Sequence, residues 1–85
     1  MKIIKNFAIS ESGFVFNPGS GESFSVNPIG VEIINLLKED MSPQEISRKI
    51  IARYHTDPAT FEKDFQDFVE LLKHHLLIED HEKEA

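Results

Sequence analysis

The sequence lacks cysteine, so its 85 residues contain neither a disulfide framework nor a thiolate metal site. No apolar run approaches the ~18 residues that a membrane-spanning helix needs, and the N-terminus has no apolar segment long enough for a signal peptide. The four histidines include no HExxH spacing or comparable zinc-binding pattern. We therefore expect a cytoplasmic protein that binds no metal and no membrane.

Positive charge is also scarce. The chain has 15 Asp and Glu against 9 Lys and Arg, which gives a formal net charge of −6. Proteins that bind nucleic acids draw most of their affinity from cations that neutralise phosphates. The basic cluster in this sequence is Arg48, Lys49 and Arg53. Three cations on a helix more often form a solvated face than a nucleic-acid-binding surface. The charge balance disfavours nucleic acid as the partner.

The patterns expected of a catalytic site are missing as well. The serines fall in turns, in a helix cap and in a strand, and the carboxylates fall mostly on helix surfaces. None of them forms the nucleophile-and-base pair or the paired carboxylates that catalysis in a pocket requires. Gly13, Gly19 and Gly21 do not lead a strand into a helix, so they form no phosphate-binding loop. We expect no enzyme activity, and no catalytic, metal-binding or cofactor-binding residues.

The length of the chain limits how many cores it can form. A domain of this size buries roughly 60% of the surface that its unfolded chain exposes, which is enough for one core. The sequence has no internal repeat and no long linker. We predict a single domain over residues 1–79, followed by a charged, disordered tail over residues 80–85.

Residues 1–26 have the composition of short strands separated by turns. Two apolar patches, at 3–4 and 7–9, precede a Ser/Gly turn, and the β-branched and aromatic segment 14–16 precedes an Asn-Pro-Gly loop. Residues 22–26 then alternate polar and apolar side chains, the period of a half-buried strand. We predict an antiparallel meander of two or three strands, in which residues 22–26 are the third strand.

From residue 27 the apolar period becomes helical. Asn27 followed by Pro28 starts a first helix that ends at about residue 39. Ser42-Pro43-Gln44-Glu45 is the capping box of a second helix, and Asp57-Pro58 starts a third that runs from about 58 to 75. Short strands followed by three helices, two of them joined by a tight turn, indicate an α+β fold of the winged helix-turn-helix type.

The predicted third helix carries an aromatic stripe. Phe61, Phe65, Phe68 and Leu72 share one face, and we expect Leu76 to pack beside them before the chain leaves as a short strand or extended coil. Most of the stripe must be core. The side chains at the edge of the stripe line a groove beside the third strand if the core closes without them. An exposed edge strand beside an apolar helix is a template for peptide strand addition, unless the chain's own N-terminus covers that edge.

The order and spacing of these segments resemble the coenzyme PQQ synthesis protein D (PqqD) family. Residues 27–37 resemble its "N-x-x-G-x-x-I-W-x-L-L" segment, and Ser42 to Ile46 resemble its "T-x-x-E-I". The similarity extends from about residue 7 to 78. The sequence departs from the family at Ile34, where many relatives have Trp, and at His75, where glycine is usual. The second departure predicts a different end to the third helix.

The resemblance implies a peptide chaperone, also called a precursor-peptide recognition element. Such domains hold the leader of a ribosomally made peptide and present it to a modifying enzyme, often a radical S-adenosylmethionine (SAM) protein. In this family the leader adds to the third strand and packs against the third helix. Carried to this sequence, the peptide-binding residues are Ser23, Phe24, Ser25 and Val26 on the strand, and Phe61, Asp64, Phe65, Phe68 and Leu71 on the helix.

Two other functions fit the predicted fold. One is a winged-helix DNA-binding or regulatory domain, and the other is a dimerisation module that pairs edge strands. The predicted third helix is acidic, which disfavours a DNA duplex and favours a leader that contains Lys or Arg. The identity of the peptide and of the enzyme, and the oligomeric state, stay open at this point.

Overall fold

The computed structural model of the chain describes residues 2–79. The predicted tail over residues 80–85 lies outside the described residues. In chain order the elements are β1 (Lys2–Ile3), β2 (Ala8–Ile9), β3 (Phe14–Asn17), β4 (Glu22–Ser25), α1 (Pro28–Lys38), α2 (Pro43–Tyr54), α3 (Pro58–His74) and β5 (Ile78–Glu79). This order confirms the predicted α+β fold of N-terminal antiparallel strands followed by three helices. The predicted third strand is β4.

The strands form two separate sheets. β2, β3 and β4 make the predicted antiparallel meander, in that order. β1 instead pairs antiparallel with β5, with Ile3 opposite Ile78, and the N–H of Ile4 donates to the carbonyl of Leu77 over 2.8 Å. The two N-terminal apolar patches therefore belong to different sheets. The N-terminal strand β1 pairs with β5 at the exit of the chain, so no strand within residues 2–79 covers the outer edge of β4.

The three helices begin where the sequence predicts. Asn27 accepts a hydrogen bond of 2.7 Å from the N–H of Gly30, the third residue of α1, and Ser42 and Glu45 form the reciprocal capping box of α2. Asp57 caps α3, and the hydrogen bond from the backbone N–H of Thr60 lowers the pKa of its carboxyl below the ordinary value. Each helix therefore starts with side-chain acceptors for N–H groups that have no partner within the helix.

The helix ends share an unusual backbone feature. Each is formed by a residue with a side chain in the left-handed conformation: Asp40 at φ 63°, His55 at φ 54° and Leu76 at φ 64°. This conformation places Cβ close to the following carbonyl oxygen, and glycine is the residue that adopts it without that penalty.

At the end of α3 the left-handed residue is Leu76, not the residue at position 75, where glycine is usual in the family that the sequence resembles. His75 has φ −90°, which needs no glycine. The N–H of Leu76 donates to the carbonyl of Lys73 and the N–H of Leu77 to that of Leu72, the two bonds of a Schellman motif. Leu76 is 62% exposed, so the prediction that it packs beside the aromatic stripe is wrong. The motif turns it outward.

One buried apolar cluster joins both sheets and all three helices. Ile34, at the position where the family resemblance implies Trp in many relatives, is fully buried. The remaining buried members are Ile3, Phe7, Val15, Ile33, Leu37, Ile46, Ile50, Phe61, Phe65, Val69, Leu72, Leu77 and Ile78. The core thus closes without Leu71, which remains 38% exposed on α3.

Candidate functional site

The free edge of β4 is the first component of the candidate site. The N–H of Val26 donates to the carbonyl of Gly13 at 2.8 Å, and Phe24 lies opposite Val15 in the β3–β4 register. Because backbone groups alternate in direction along an antiparallel strand, those of Ser23 and Ser25 point away from β3. No other strand in residues 2–79 pairs with β4 on that side. Two N–H donors and two carbonyl acceptors are therefore open to an incoming strand.

The side chains of β4 alternate between the two faces of the sheet. Ser23 and Ser25 are exposed on the outer face, opposite Phe16 and Phe14 of β3. Phe24 is partly buried and points to the inner face, where its ring stacks on that of His75, with 4.1 Å between centroids. An added strand would alternate in the same way, with every second side chain facing α3.

His75 links the end of α3 to the start of β4. Its Nδ1 lies 2.7 Å from Oε1 of Glu22, in addition to the stacking on Phe24. Its carbonyl accepts a hydrogen bond of 3.4 Å from the buried side chain of Asn17. These contacts bring the end of α3 against β3 and β4 at Asn17, Glu22 and Phe24.

At the other end of β4 a pocket opens between α1 and α3. It has a volume of about 170 Å³. Ile33, Phe61 and Phe65 are buried members of its wall, whereas Asp64 is exposed at its rim. The other lining residues are Asn27, Ile29, Gly30, Thr56 and Phe68. A dry apolar cavity of ~150 Å³ is large enough to hold benzene, so this pocket has room for one large apolar side chain.

Gly30 allows the two helices to approach at this pocket. A Cβ atom on Gly30 would lie 2.9 Å from Cβ of Val26 and 3.2 Å from Cε1 of Phe68. Both distances are shorter than ordinary carbon–carbon contacts. The absence of a side chain therefore brings the first turn of α1 against the exit of β4 and against the aromatic face of α3.

Asp64 and Glu62 are the acidic residues of α3 without an ion pair in the described part of the chain, and of the two only Asp64 lines the pocket. Asp67 forms an ion pair with Lys63 at 3.2 Å, and Glu70 lies 3.8 Å from Lys73. Asp64 has no hydrogen bond or ion pair with any residue in the described part of the chain. A carboxylate without a partner thus lies at the rim of an apolar pocket.

The nine predicted peptide-binding residues are divided between the edge of β4, the pocket and the exposed surface of α3. Phe61, Asp64, Phe65 and Phe68 line the pocket together. Ser23 and Ser25 contribute backbone groups at the edge, because their side chains face outward. Phe24 and Val26 are partly buried behind them, and Leu71 lies exposed on α3. The site also includes residues that were not predicted: Glu22, Asn27, Ile29, Gly30, Ile33, Thr56 and His75.

The basic cluster of α2 is partly neutralised within the fold. Arg53 forms an ion pair with Glu32 of α1, with 2.8 Å between Nη1 and Oε2. The Tyr54 hydroxyl donates to the same carboxylate at 2.8 Å, and this hydrogen bond raises the pKa of Tyr54 above its ordinary value. Arg53 therefore stabilises the α1–α2 contact, which leaves Arg48 and Lys49 as a small basic surface.

Residues 2–79 contain no group of three or more His, Cys, Asp or Glu side chains that could hold a metal ion. Within the same residues no helix is long and apolar enough to cross a membrane.

Comparison with known proteins supports the resemblance seen in the sequence. Residues 13–78 match the family model for coenzyme PQQ synthesis protein D (PqqD). The fold is similar to that of the solved structure "TbiB1 in Complex with the TbiA(beta) Leader Peptide", with a TM-score of 0.82 and 32% sequence identity, over 93% of this chain and 95% of that one. No curated protein matches the sequence. The family match and the structural similarity together show that the chain belongs to the PqqD family.

Proposed function

We propose that this protein is a precursor-peptide recognition element. It binds the leader of a ribosomally made peptide as an added strand on β4 and presents the peptide to a modifying enzyme. The observation that carries the proposal is the open edge of β4 beside the apolar pocket of α1 and α3. The similar protein TbiB1 has a leader peptide bound, which supports the same class of ligand for this chain.

The edge and the pocket have different tasks in this function. Backbone hydrogen bonds to Ser23 and Ser25 supply affinity for any extended peptide that can reach them. Side-chain selection comes from the inner face, where Phe24, Phe68 and Leu71 border the path of the peptide and the pocket receives one anchor. We propose all nine predicted residues as the peptide-binding set. None of these steps requires chemistry by the protein itself.

The modifying enzyme is proposed from the family resemblance to be a radical SAM protein. A short precursor peptide and such an enzyme encoded beside this gene would support the assignment. A pull-down of the encoded enzyme with this protein, with and without the precursor, tests whether the two associate. An encoded modifying enzyme of another class would replace the radical SAM protein and leave the peptide-binding role intact.

A proline at Ser25 tests strand addition directly. The N–H of Ser25 points away from β3, so Ser25→Pro removes a donor for the incoming strand and keeps the β3–β4 ladder. We expect Ser25→Pro to weaken binding of the neighbouring precursor's leader at least tenfold, measured by fluorescence anisotropy. Ser25→Ala keeps the N–H and is expected to bind like the wild type.

Two measurements accompany this test. The amide spectrum of Ser25→Pro establishes that the variant is folded, and backbone amide shifts of the wild type during titration locate the peptide. Shifts that stay away from residues 22–26 and from α3 would place the ligand elsewhere. Unchanged affinity in a folded Ser25→Pro variant would exclude strand addition at this position.

Self-pairing through β4 is the second candidate, because the same open edge could receive β4 of another copy. It predicts a dimer whose population rises with protein concentration. It also predicts that the amides of Ser23 and Ser25 exchange slowly without any peptide. Sedimentation and hydrogen exchange on the free protein separate this function from peptide binding.

A further inference from the structure

We infer that the leader recognised by this protein carries Lys or Arg two positions away from its apolar anchor, and that Asp64 selects this residue. The inference rests on the proposed function, since it concerns the peptide that occupies the cleft of β4 and α3. Asp64 determines which peptides are selected, whereas the apolar pocket and the strand edge supply the remaining affinity.

The spacing follows from the geometry of an added strand. Side chains at positions i and i+2 of a strand point to the same face and lie ~6.5 Å apart along it. When one of them enters the pocket, its same-face neighbour lies near the pocket rim. Asp64 is exposed at that rim. Residues at i±1 face the outer side of the sheet and cannot reach it.

The charge expected of this peptide residue, two positions from the anchor, follows from the unpaired carboxylate of Asp64. Its carboxylate has no partner in the described part of the chain, and none of the residues that line the pocket is a cation. A peptide that covers Asp64 removes water from the carboxylate, which is unfavourable unless a positive group replaces that water. Lys or Arg offsets this loss, whereas a neutral neighbour does not. An acidic neighbour adds repulsion.

Peptide selection from a displayed library of random 12-residue peptides tests the inference. The matched pair of variants is Asp64→Asn and Asp67→Asn. Both remove one negative charge from α3, but Asp67 is paired with Lys63 and does not line the pocket. A general attraction between an acidic protein and basic peptides would change equally in the two variants.

We expect the wild type and Asp67→Asn to enrich peptides with Lys or Arg two positions from an apolar residue. Asp64→Asn should retain the apolar preference and lose the basic one. For a selected peptide, replacement of that Lys or Arg by Gln should weaken binding to the wild type about fivefold. The same replacement should leave binding to Asp64→Asn nearly unchanged.

The outcomes distinguish the inference from the function on which it rests. If no peptide is enriched by the wild type, the proposed function fails and the inference fails with it. If apolar peptides are enriched without the basic neighbour, peptide binding stands and the role of Asp64 is overturned. A basic preference that is lost equally in both variants also overturns it, because that pattern reports net charge.

Discussion

At the scale of single residues, the helix ends store a small amount of backbone strain. A left-handed residue with a side chain costs ~1–2 kcal/mol relative to its relaxed conformations. Asp40 and His55 belong to the polar types that visit this region more readily. Leu76 is not one of these polar types. Its side chain is 62% exposed, so burial of the side chain offsets little of the backbone strain.

We therefore expect Leu76→Gly to stabilise the protein by about 0.5–1 kcal/mol. Glycine relieves the strain at φ 64°, and the greater freedom of the unfolded chain offsets part of the gain. Urea unfolding followed by circular dichroism measures the difference. Leu76→Ala is the matched control, because it shortens the side chain but keeps Cβ. Equal stability of the two variants would show that no strain resides at this position.

At the scale of secondary-structure elements, the contact of α1 with α3 depends on Gly30. Gly30→Ala places a methyl group 2.9 Å from Cβ of Val26, so one of the two elements must move. We expect a loss of about 1–3 kcal/mol in the free energy of unfolding and weaker binding of peptides that carry an apolar anchor.

Gly19→Ala is the control for the change at Gly30. Gly19 lies in the exposed β3–β4 turn, and its added methyl group would meet only Oδ1 of Asn17, at 3.3 Å. We expect this variant to retain both stability and peptide affinity, measured by urea unfolding and by anisotropy. Full peptide affinity in Gly30→Ala would show that the pocket does not receive the anchor.

The helices were predictable from the sequence because their signals are local. Asn27-Pro28, the Ser42–Glu45 capping box and Asp57-Pro58 each satisfy the first N–H groups of a helix within four residues. The aromatic stripe gave the buried face of α3 by the same short-range logic. Three of the nine predicted site residues, Phe61, Phe65 and Phe68, line the pocket for this reason.

Other features depend on contacts between distant parts of the chain. Nothing near Ile3 specifies that it pairs with Ile78, and nothing near His75 specifies its bond to Glu22. Thr56 enters the pocket only because a turn brings it there, so its sequence neighbourhood gave no signal. Asn27 and Gly30 belong to the segment that resembles the family, but the sequence did not assign them to the site.

At the scale of the whole molecule, charge separates the possible partners. The chain carries a net charge of −6, and one of its few basic side chains, Arg53, is bound to Glu32. We expect no measurable binding of a labelled DNA duplex, even at salt near ~50 mM, where phosphate contacts are strongest.

Anisotropy of a duplex, with a library-selected peptide as the positive control in the same buffer, checks this expectation. Peptide affinity should fall only modestly as salt rises, because backbone hydrogen bonds and apolar burial carry most of it. Tight duplex binding that weakens steeply with salt would restore the DNA-binding function.

The pairing of β1 with β5 has a consequence for how this fold can be used. Lys2 and Glu79 are register partners, so the two ends of the described chain lie about 5 Å apart. A segment whose ends meet can be spliced into a surface loop of a host protein without pulling that loop apart. A modifying enzyme that received it in this way would hold its own substrate-recognition cassette, with capture and modification of the peptide in one polypeptide.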